Sequence, residues 1–238
     1  MQRYIGKIEN EHIILEKDDI FHIVKVMRMH KGDYFDVLIP NSGVYLCQIN
    51  NNEQFDFSIV KKIEENHEVD GYIRLLYCIP KGEKLDFVIQ KSVELGADEI
   101  VLVNSSRCVR KLDKSNISNK LVRFNKIIKE ATEQCKREKV LKLTDIIDFS
   151  DIGKYQADVK LIPYENTKES VYNLSNKLNN VRGKVVNVVV GSEGGFSEDE
   201  VSYAKKNGFE EISLGKRILR SETSCIYILS LLSFYMEN

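Results

Sequence analysis

Apolar residues in the last two thirds of the chain follow two alternating patterns. Short apolar runs predict strands, at residues 72–79, 99–103, 158–162, 185–190 and 211–214. Apolar positions at helical spacing predict helices, one marked by Leu85, Val88, Ile89 and Ser92 and ended by Gly96, one from Ile117 to Cys135, and one from Cys225 to Phe234. Strands that alternate with helices are typical of an α/β fold with a mostly parallel sheet.

Residues 1–70 show a different pattern, with short strands at close spacing. Strands are predicted at 34–39, 44–49 and 55–60, separated by the turn residues 41–43 and 50–52. A helix is predicted at Asp18 to Met29 because its apolar residues fall on one side. The polar segment 64–68 has no apolar period, and we place a domain boundary at about residue 70. A small β-barrel or sandwich, residues 1–70, is therefore predicted to precede an α/β domain, residues 71–238.

The strand at Val185 to Val190 leads into the most informative loop of the chain. Its β-branched residues predict a strand that is buried on both faces. The next segment, Gly191-Ser192-Glu193-Gly194-Gly195, allows a sharp turn and close approach to a ligand, and Ser197 is a good helix start. Gly215 ends the strand at 211–214 in the same way. Ligands bind at the carboxyl ends of parallel strands, so the two glycine loops are predicted to share one pocket.

The spacing of these glycines excludes two common phosphate sites. The GxxxxGK[ST] pattern of a P-loop is absent, and the loop is not GxGxxG. A glycine loop that carries the acidic Glu193 favours a ligand with hydroxyls and an amine over a polyphosphate. The alternative is that these are ordinary structural turns between strand and helix.

Composition restricts the class of protein. Hydrophobic residues make up 42 % of the 238, enough for a packed core, and no apolar run reaches the roughly 18 to 20 residues that span a bilayer. The five cysteines show no CxxC pairing and no nearby histidines. We therefore expect a cytoplasmic protein with reduced cysteines, no metal site and no membrane partner.

The net charge of −1 is unevenly distributed. Residues 1–70 hold 8 Lys or Arg against 13 Asp or Glu, whereas residues 105–142 hold 12 against 4. An anionic partner responds to the local excess within a Debye length of about 10 Å. The basic helix therefore suggests nucleic-acid binding, and the alternative is a solvated helix face.

Two long motifs carry a resemblance to a known family. Val190 to Ser197 and Leu214 to Thr223, the latter reading LGKRILRSET, resemble the signatures of the RsmE family of 16S rRNA methyltransferases in the SPOUT superfamily. Segments 80–84, 90–96 and 130–137, and positions around His22, Arg28 and Gly32, are similar to further family motifs. The similarity covers nearly the whole chain.

The resemblance implies a fold, a cofactor and partners. The fold is a PUA-like β-barrel that precedes a SPOUT domain with a C-terminal trefoil knot. The partners are a second copy of the chain and 16S rRNA of the small ribosomal subunit, methylated at N3 of one uridine. The cofactor is S-adenosyl-L-methionine, expected against Ile162, Pro163, Tyr164, Gly191, Ser192, Glu193, Gly194, Gly195, Leu214, Gly215, Ile218 and Leu219.

Catalysis at uridine N3 requires loss of its proton and stabilisation of the imide charge. We predict that Arg220 stabilises that charge and that Glu222 or Glu193 accepts the proton or orients a water that does. Glu222 with Thr223 could instead only cap the last helix. Residues predicted to contact RNA are His22, Lys25, Arg28, Lys81, Lys91, Arg107, Arg123, Gln134 and Arg137.

Two other functions remain open from the sequence. A SPOUT enzyme that methylates a ribose 2′-hydroxyl of rRNA or tRNA would share the cofactor pocket. A non-catalytic RNA-binding protein in ribosome assembly could be built from the same barrel and basic helix. The sequence does not identify the modified uridine.

Overall fold

The computed structural model describes residues 1–10, 12–82, 84–108, 114–167 and 171–238, so Glu83 of the 80–84 motif lies outside the described residues. The chain forms two compact units. Unit 1 combines Met1–Glu68 with Lys129–Val140, and unit 2 combines Val69–Ile128 with Leu141–Asn238.

Unit 1 is built mainly of short strands. They are β1 Arg3–Ile5, β2 Lys7–Glu9, β3 His12–Ile14, β4 Tyr34–Ile39, β5 Gly43–Asn51 and β6 Asp56–Ile63. The order β1-β4-β5-β6 forms a four-stranded sheet in which β1 is parallel to β4, and β2 pairs with β3 as a separate hairpin. The three predicted strands are confirmed, whereas β1, β2 and β3 were not predicted because each is three residues long.

The predicted helix at 18–29 is only partly correct. Helix α1 spans Lys17–Phe21, and the chain continues as a π-helix at His22–Val26. This segment packs on the core of unit 1, where Ile23 is buried together with Tyr4 and Phe35. Phe35 lies at the centre of this core, with ring centroids 5.9 Å from Tyr4 and 5.3 Å from Phe57.

Unit 2 is an α/β layer structure. Its strands are β7 Tyr72–Cys78, β8 Glu99–Asn104, β9 Lys142–Asp148, β10 Val159–Pro163, β11 Val185–Val190 and β12 Glu210–Ile212. Its helices are α2 Lys84–Glu94, α3 Lys114–Cys135, α4 Val171–Leu178, α5 Glu198–Lys206 and α6 Ser221–Glu237, with a 3₁₀ turn at Phe149–Lys154. Residues of α3 from 129 onward belong to unit 1.

The six strands of unit 2 form one parallel sheet in the order β12-β10-β11-β7-β8-β9. The predicted parallel α/β sheet is confirmed. Strand β11 pairs on both sides, and its residues Val186 to Val190 are buried, as its apolar run predicted. Because every pair is parallel, the loops that follow the strands all leave from the same edge. Within the described residues, no helix combines the length and apolar character that crossing a bilayer requires.

Candidate active site

A cavity of about 390 Å³ lies at the carboxyl edge of the sheet in unit 2. A smaller cavity of about 110 Å³ adjoins it, since both include Pro163, Glu165, Ile218, Leu219 and Ser224 in their walls. The described residues that line the larger cavity are Lys84, Pro163, Glu165, the run Val190 to Phe196, the run Ile218 to Ser221, and Ser224. Both glycine loops thus open onto connected space, as predicted.

The loop after β11 is tight enough to require its glycines. The Gly195 amide donates to the Ser192 carbonyl over 3.0 Å, and Gly195 has φ +64°, a left-handed conformation. A Cβ on Gly191 would lie 3.3 Å from the backbone of Gly195, and a Cβ on Gly195 would lie 2.9 Å from Glu165 Oε1. The backbone at this turn therefore comes close to whatever the cavity holds.

Two anchors hold the far end of this loop. Ser197 and Glu200 form a reciprocal capping box at the start of α5, with the Glu200 amide 3.2 Å from Ser197 Oγ and the Ser197 amide 2.9 Å from Glu200 Oε2. Glu200 Oε1 also accepts from the Ser106 amide over 2.6 Å. Phe196 is buried, with its ring centroid 5.7 Å from that of Phe149. The predicted helix start at Ser197 is confirmed.

The start of α6 is attached to the same loop. The buried Ser221 hydroxyl donates to the Gly191 carbonyl over 2.5 Å, and its oxygen lies 3.0 Å from the Tyr77 hydroxyl of β7. Burial raises the pKa of Tyr77, so this hydroxyl stays protonated and can donate to Ser221. The last helix therefore begins at a defined point beside the cavity.

One lysine connects the glycine loop to α6. Lys84 Nζ lies 3.1 Å from Glu193 Oε1 and 3.1 Å from Glu222 Oε2, and Glu193 also accepts from the Lys81 amide over 3.1 Å. Burial of Glu193 opposes its charge, but hydrogen bonds from its own amide, from Lys84 and from the Lys81 amide outweigh burial and lower the pKa of Glu193. Hydrogen bonds to the two carboxylates raise the pKa of Lys84. The ammonium of Lys84 and the carboxylate of Glu193 therefore stabilise each other's charged forms.

Arg220 differs from these residues because its guanidinium makes no hydrogen bond or ion pair with any described residue, although Arg220 lines the larger cavity. It is the residue that precedes α6, and its side chain does not cap that helix. An exposed arginine at a cavity wall offers five donors to an incoming anion. The predicted catalytic residues Arg220, Glu193 and Glu222 thus lie around one site.

The structure brings most of the predicted cofactor residues to the two cavities. The larger one includes the five residues 191–195, and the smaller one includes Tyr164, Leu214 and Gly215. Pro163, Ile218 and Leu219 line both, and Ile218 is 85 % exposed. Ile162 lines neither cavity, because its side chain is buried in the core with Val189 and Phe196.

The residues of unit 2 that were predicted to contact RNA divide into two groups. Lys81 and Arg107 are exposed beside the glycine loop, where the Lys81 amide binds Glu193 and the Arg107 guanidinium donates to the Gly194 carbonyl over 3.0 Å. Lys91 and Arg123 instead form ion pairs with Glu94 and Asp86. The first group therefore borders the cavity directly.

The residues of unit 1 that were predicted to contact RNA differ in how far their side chains are exposed. Lys25, Arg28 and Gln134 are exposed, and His22 Nδ1 lies 2.9 Å from the Tyr4 hydroxyl. The Arg137 side chain is only 3 % exposed, because its guanidinium pairs with Glu68 at 2.6 Å. That leaves Arg137 little surface for a phosphate, and we omit it from the proposed RNA contacts.

Two cavity residues were missed in the sequence. Lys84 was noticed only as part of the 80–84 motif, and neither it nor Glu165 received a role. The sequence signal that could have identified these two residues was their position, because each follows the carboxyl end of a strand. Their proximity to the glycine loop depends on the strand order, which the sequence pattern does not give.

Family models match both parts of the chain. The model described as RNA methyltransferase domain matches residues 67–233, and the model described as RNA methyltransferase PUA domain matches residues 15–60.

Two named relatives are similar over nearly their full length. The ribosomal RNA small subunit methyltransferase E of Bacillus subtilis is 30 % identical, with 100 % of this chain and 98 % of that protein covered. The protein of the same name from Mesomycoplasma hyopneumoniae is 32 % identical, with 97 % and 98 % covered.

Solved structures show the same similarity. A Neisseria gonorrhoeae ribosomal RNA small subunit methyltransferase E, bound to S-adenosylmethionine, is 25 % identical with a TM-score of 0.84 and covers 98 % of this chain and 97 % of its own. A Legionella pneumophila protein in complex with the same cofactor is 28 % identical with a TM-score of 0.86 and covers 98 % and 96 %.

Proposed function

The chain belongs to the family of ribosomal RNA small subunit methyltransferase E, and we propose that it transfers the methyl group of S-adenosylmethionine to N3 of a uridine in 16S rRNA. One observation carries the catalytic part of the proposal. Arg220, whose guanidinium has no partner among the described residues, and Glu193 line the cavity that the glycine loop opens onto, and the Glu222 carboxylate adjoins it through Lys84. These are the groups that a proton transfer from an imide needs.

The cavity residues fit S-adenosylmethionine. The combined space of about 390 and 110 Å³ is within the usual range for a ligand of this size. The close-packed glycine turn brings backbone donors and acceptors to a nucleoside, and the Glu165 carboxylate beside Gly195 can accept from hydroxyls or an amine. When bound, the cofactor supplies a methyl group that its sulfonium has already activated.

The protein's own residues then have two tasks. The uracil must be held with N3 at near-attack distance, which favours a base taken out of its stack. Arg220 can donate to a uracil oxygen as negative charge develops on the imide. Glu222 or Glu193 can accept the N3 proton, directly or through a water.

Exposed basic residues support an RNA substrate. Lys81 and Arg107 lie beside the glycine loop, and Lys25 and Arg28 are exposed in unit 1. Arginine and lysine contacts to phosphates position a protein on RNA, whereas the base that enters the cavity is selected locally. The substrate we propose is therefore an rRNA segment whose target uridine can leave its stack.

Four finer features also belong to this proposal. We infer a closed PUA-like barrel in residues 1–70 and a trefoil knot at the C-terminus of residues 71–238, the latter supported by the burial of Ser221 against Gly191. We infer a homodimer, supported by Tyr227 and Phe234, two exposed aromatic residues one heptad apart on α6. We also infer a cytoplasmic location, supported by a substrate in the small ribosomal subunit.

The test is identification of the methylated nucleoside. Purified protein is incubated with S-adenosylmethionine carrying a labelled methyl group and with small ribosomal subunits from a strain that lacks this gene. We expect the label in 3-methyluridine after digestion of the rRNA, and mass spectrometry of RNA fragments identifies the position.

Two other outcomes would contradict the proposal. Label in a ribose-methylated nucleoside would show that the cofactor site is functional but that the methyl acceptor is a ribose 2′-hydroxyl and not uridine N3. Absence of cofactor binding by calorimetry, together with absence of label, would favour a non-catalytic RNA-binding protein in ribosome assembly.

A further inference from the structure

Lys84 holds a central position at the cavity. It is the first residue of α2, and its ammonium is equidistant, at 3.1 Å, from a carboxylate of the glycine loop and a carboxylate of α6. Its side chain is 32 % exposed, compared with 29 % for Glu193 and 16 % for Glu222. Lys84 and Glu193 line the larger cavity, and Glu222, the least exposed of the three, contacts Lys84 from α6.

We propose that Lys84 is a positioning residue for methyl transfer: it holds Glu193 of the cavity wall and Glu222 of α6 on either side of its ammonium, in place for one of them to receive the N3 proton. This inference rests on the proposed function. In the step, the N3–H bond breaks and its proton forms an O–H bond on the carboxylate. The electron pair left on N3 forms the bond to the methyl carbon, and the electron pair of the broken carbon–sulfur bond stays on sulfur.

Other contacts argue that the lysine does more than hold the loop. Glu193 also accepts from the Lys81 amide, and Ser221 attaches α6 to the Gly191 carbonyl. Both anchors remain when Lys84 is replaced, so the loop and helix should keep their positions. What the ammonium adds is a positive charge 3.1 Å from each of the two carboxyl groups, and this charge contributes to the lowered pKa of Glu193.

The cluster has a defined set of charged and titratable neighbours. They are Arg220 and Cys225 from α6, Glu165 after β10, and Tyr77 from β7. Burial raises the pKa values of Tyr77 and Cys225, so both stay neutral. Because Lys84 contributes to the lowered pKa of Glu193, its removal should allow this carboxylate to protonate at a higher pH.

The experiment compares wild type, Lys84→Met, Lys84→Arg and Lys177→Met. Lys177 is a matched control because it also bridges elements of unit 2, with 2.7 Å to Glu210, and it is not among the described residues that line either cavity. For each protein, kcat and KM for small subunits are measured as a function of pH, and the Kd for S-adenosylmethionine is measured by calorimetry.

We expect kcat of Lys84→Met to fall roughly tenfold to a hundredfold at neutral pH, with the cofactor Kd nearly unchanged. The acidic limb of its kcat profile should move to higher pH. Lys84→Arg keeps the charge and should restore the position of that limb, and Lys177→Met should behave like wild type.

Several results would overturn the inference while the proposed function stands. They are an acidic limb that does not move in Lys84→Met, a Lys84→Arg variant no better than Lys84→Met, or a loss confined to cofactor Kd. If Lys84→Met does not fold, the pH profile of Lys84→Arg decides between the two interpretations. A Lys84→Arg variant that folds normally, but whose acidic limb lies at a higher pH than in wild type, contradicts the charge argument. Failure of the wild type to form 3-methyluridine would instead overturn the proposed function.

Discussion

The two units of the protein each contain a lysine that bridges carboxylates, and the two clusters have opposite properties. In unit 2, Lys84 bridges Glu193 and Glu222, and we name this set the Lys84 cluster. In unit 1, Lys129 contacts Glu16 at 2.7 Å, Asp19 at 2.8 Å and Glu133 at 4.0 Å, which we name the Lys129 cluster. The same residue types therefore occur in two settings.

Burial separates the clusters. In the Lys129 cluster, the side chains of Asp19 and Glu133 are 8 % and 10 % exposed. Burial raises the pKa of Asp19 and raises that of Glu133 to about 7, despite the nearby ammonium. In the Lys84 cluster, hydrogen bonds outweigh burial and the pKa of Glu193 is lowered.

The difference indicates what each cluster can do. A carboxyl group that titrates near pH 7 inside a packed unit affects stability, since its charge is costly where water is excluded. A carboxylate such as Glu193, whose pKa is lowered and which lies beside an open cavity, can accept a proton from a ligand. We therefore expect substitutions in the Lys84 cluster and at Arg220 to alter catalysis, and substitutions in the Lys129 cluster to alter stability.

The largest expected effect is at Arg220, the cavity charge without a described partner. Arg220→Ala removes the donor proposed for the developing imide charge, so kcat should fall roughly 100- to 1000-fold. The Kd for S-adenosylmethionine should change little, because the glycine loop remains. Steady-state methylation of small subunits and calorimetry with the cofactor provide the two measurements.

Arg182→Ala is a suitable control, since Arg182 pairs with Asp70 at 2.9 Å and is absent from the described cavity lining. Loss of cofactor binding in parallel with turnover would contradict the catalytic role of Arg220 and indicate a role in assembling the pocket.

The second largest effect is expected at Lys129, whose substitution should change the stability of unit 1. Lys129→Met leaves the buried Asp19 and Glu133 without their cation and should lower the free energy of unfolding by about 3 kcal/mol at pH 8. The loss should be smaller at pH 5, where Glu133 is protonated and needs no counter-charge. Urea unfolding followed by circular dichroism measures the loss, and hydrogen exchange assigns it to unit 1.

The control for this variant is Lys17→Met, at an exposed lysine that begins α1. An equal loss at pH 5 and pH 8 would show that the Lys129 stem, and not its charge, stabilises unit 1.

The same contrast explains what the sequence could predict. The glycine loop and the start of α5 were predicted because the turn at Gly195 and the Ser197–Glu200 capping box are local chemistry. The Lys84 cluster was not predicted, because its three members come from distant segments that meet only through the strand order. A local sequence pattern predicts which residues form a turn, whereas ion pairs between distant segments depend on the tertiary structure.

Tertiary structure also adds two features that the sequence pattern does not show. Arg137 was counted with the basic face of α3, but Glu68, far away in sequence, pairs with it and buries it. Residues 129–140 belong to unit 1, and a boundary drawn at one point near residue 70 does not represent a unit made of two segments. Elements β9 and α4 were not predicted, since β9 mixes polar and apolar residues and α4 is only eight residues long.

The smallest expected effect tests whether the Lys129 cluster is a pH-dependent stability element. Folded Glu133 has a pKa of about 7 against an ordinary value of 4.5, so the folded chain binds more protons between these pH values. Glu133 therefore lowers the free energy of unfolding progressively as pH rises from about 4.5 to about 7. Glu133→Gln keeps an acceptor for the Ile5 amide and removes the titration.

The variant should match wild type near pH 5 and become the more stable protein at pH 8, which urea titrations at several pH values would measure. Glu53→Gln, at an exposed glutamate of unit 1, should leave the pH dependence unchanged. If Glu133→Gln follows wild type at every pH, Lys129 compensates the Glu133 charge fully. The raised pKa of Glu133 would then no longer distinguish the Lys129 cluster from the Lys84 cluster, and it could not explain why only the Lys84 cluster suits catalysis.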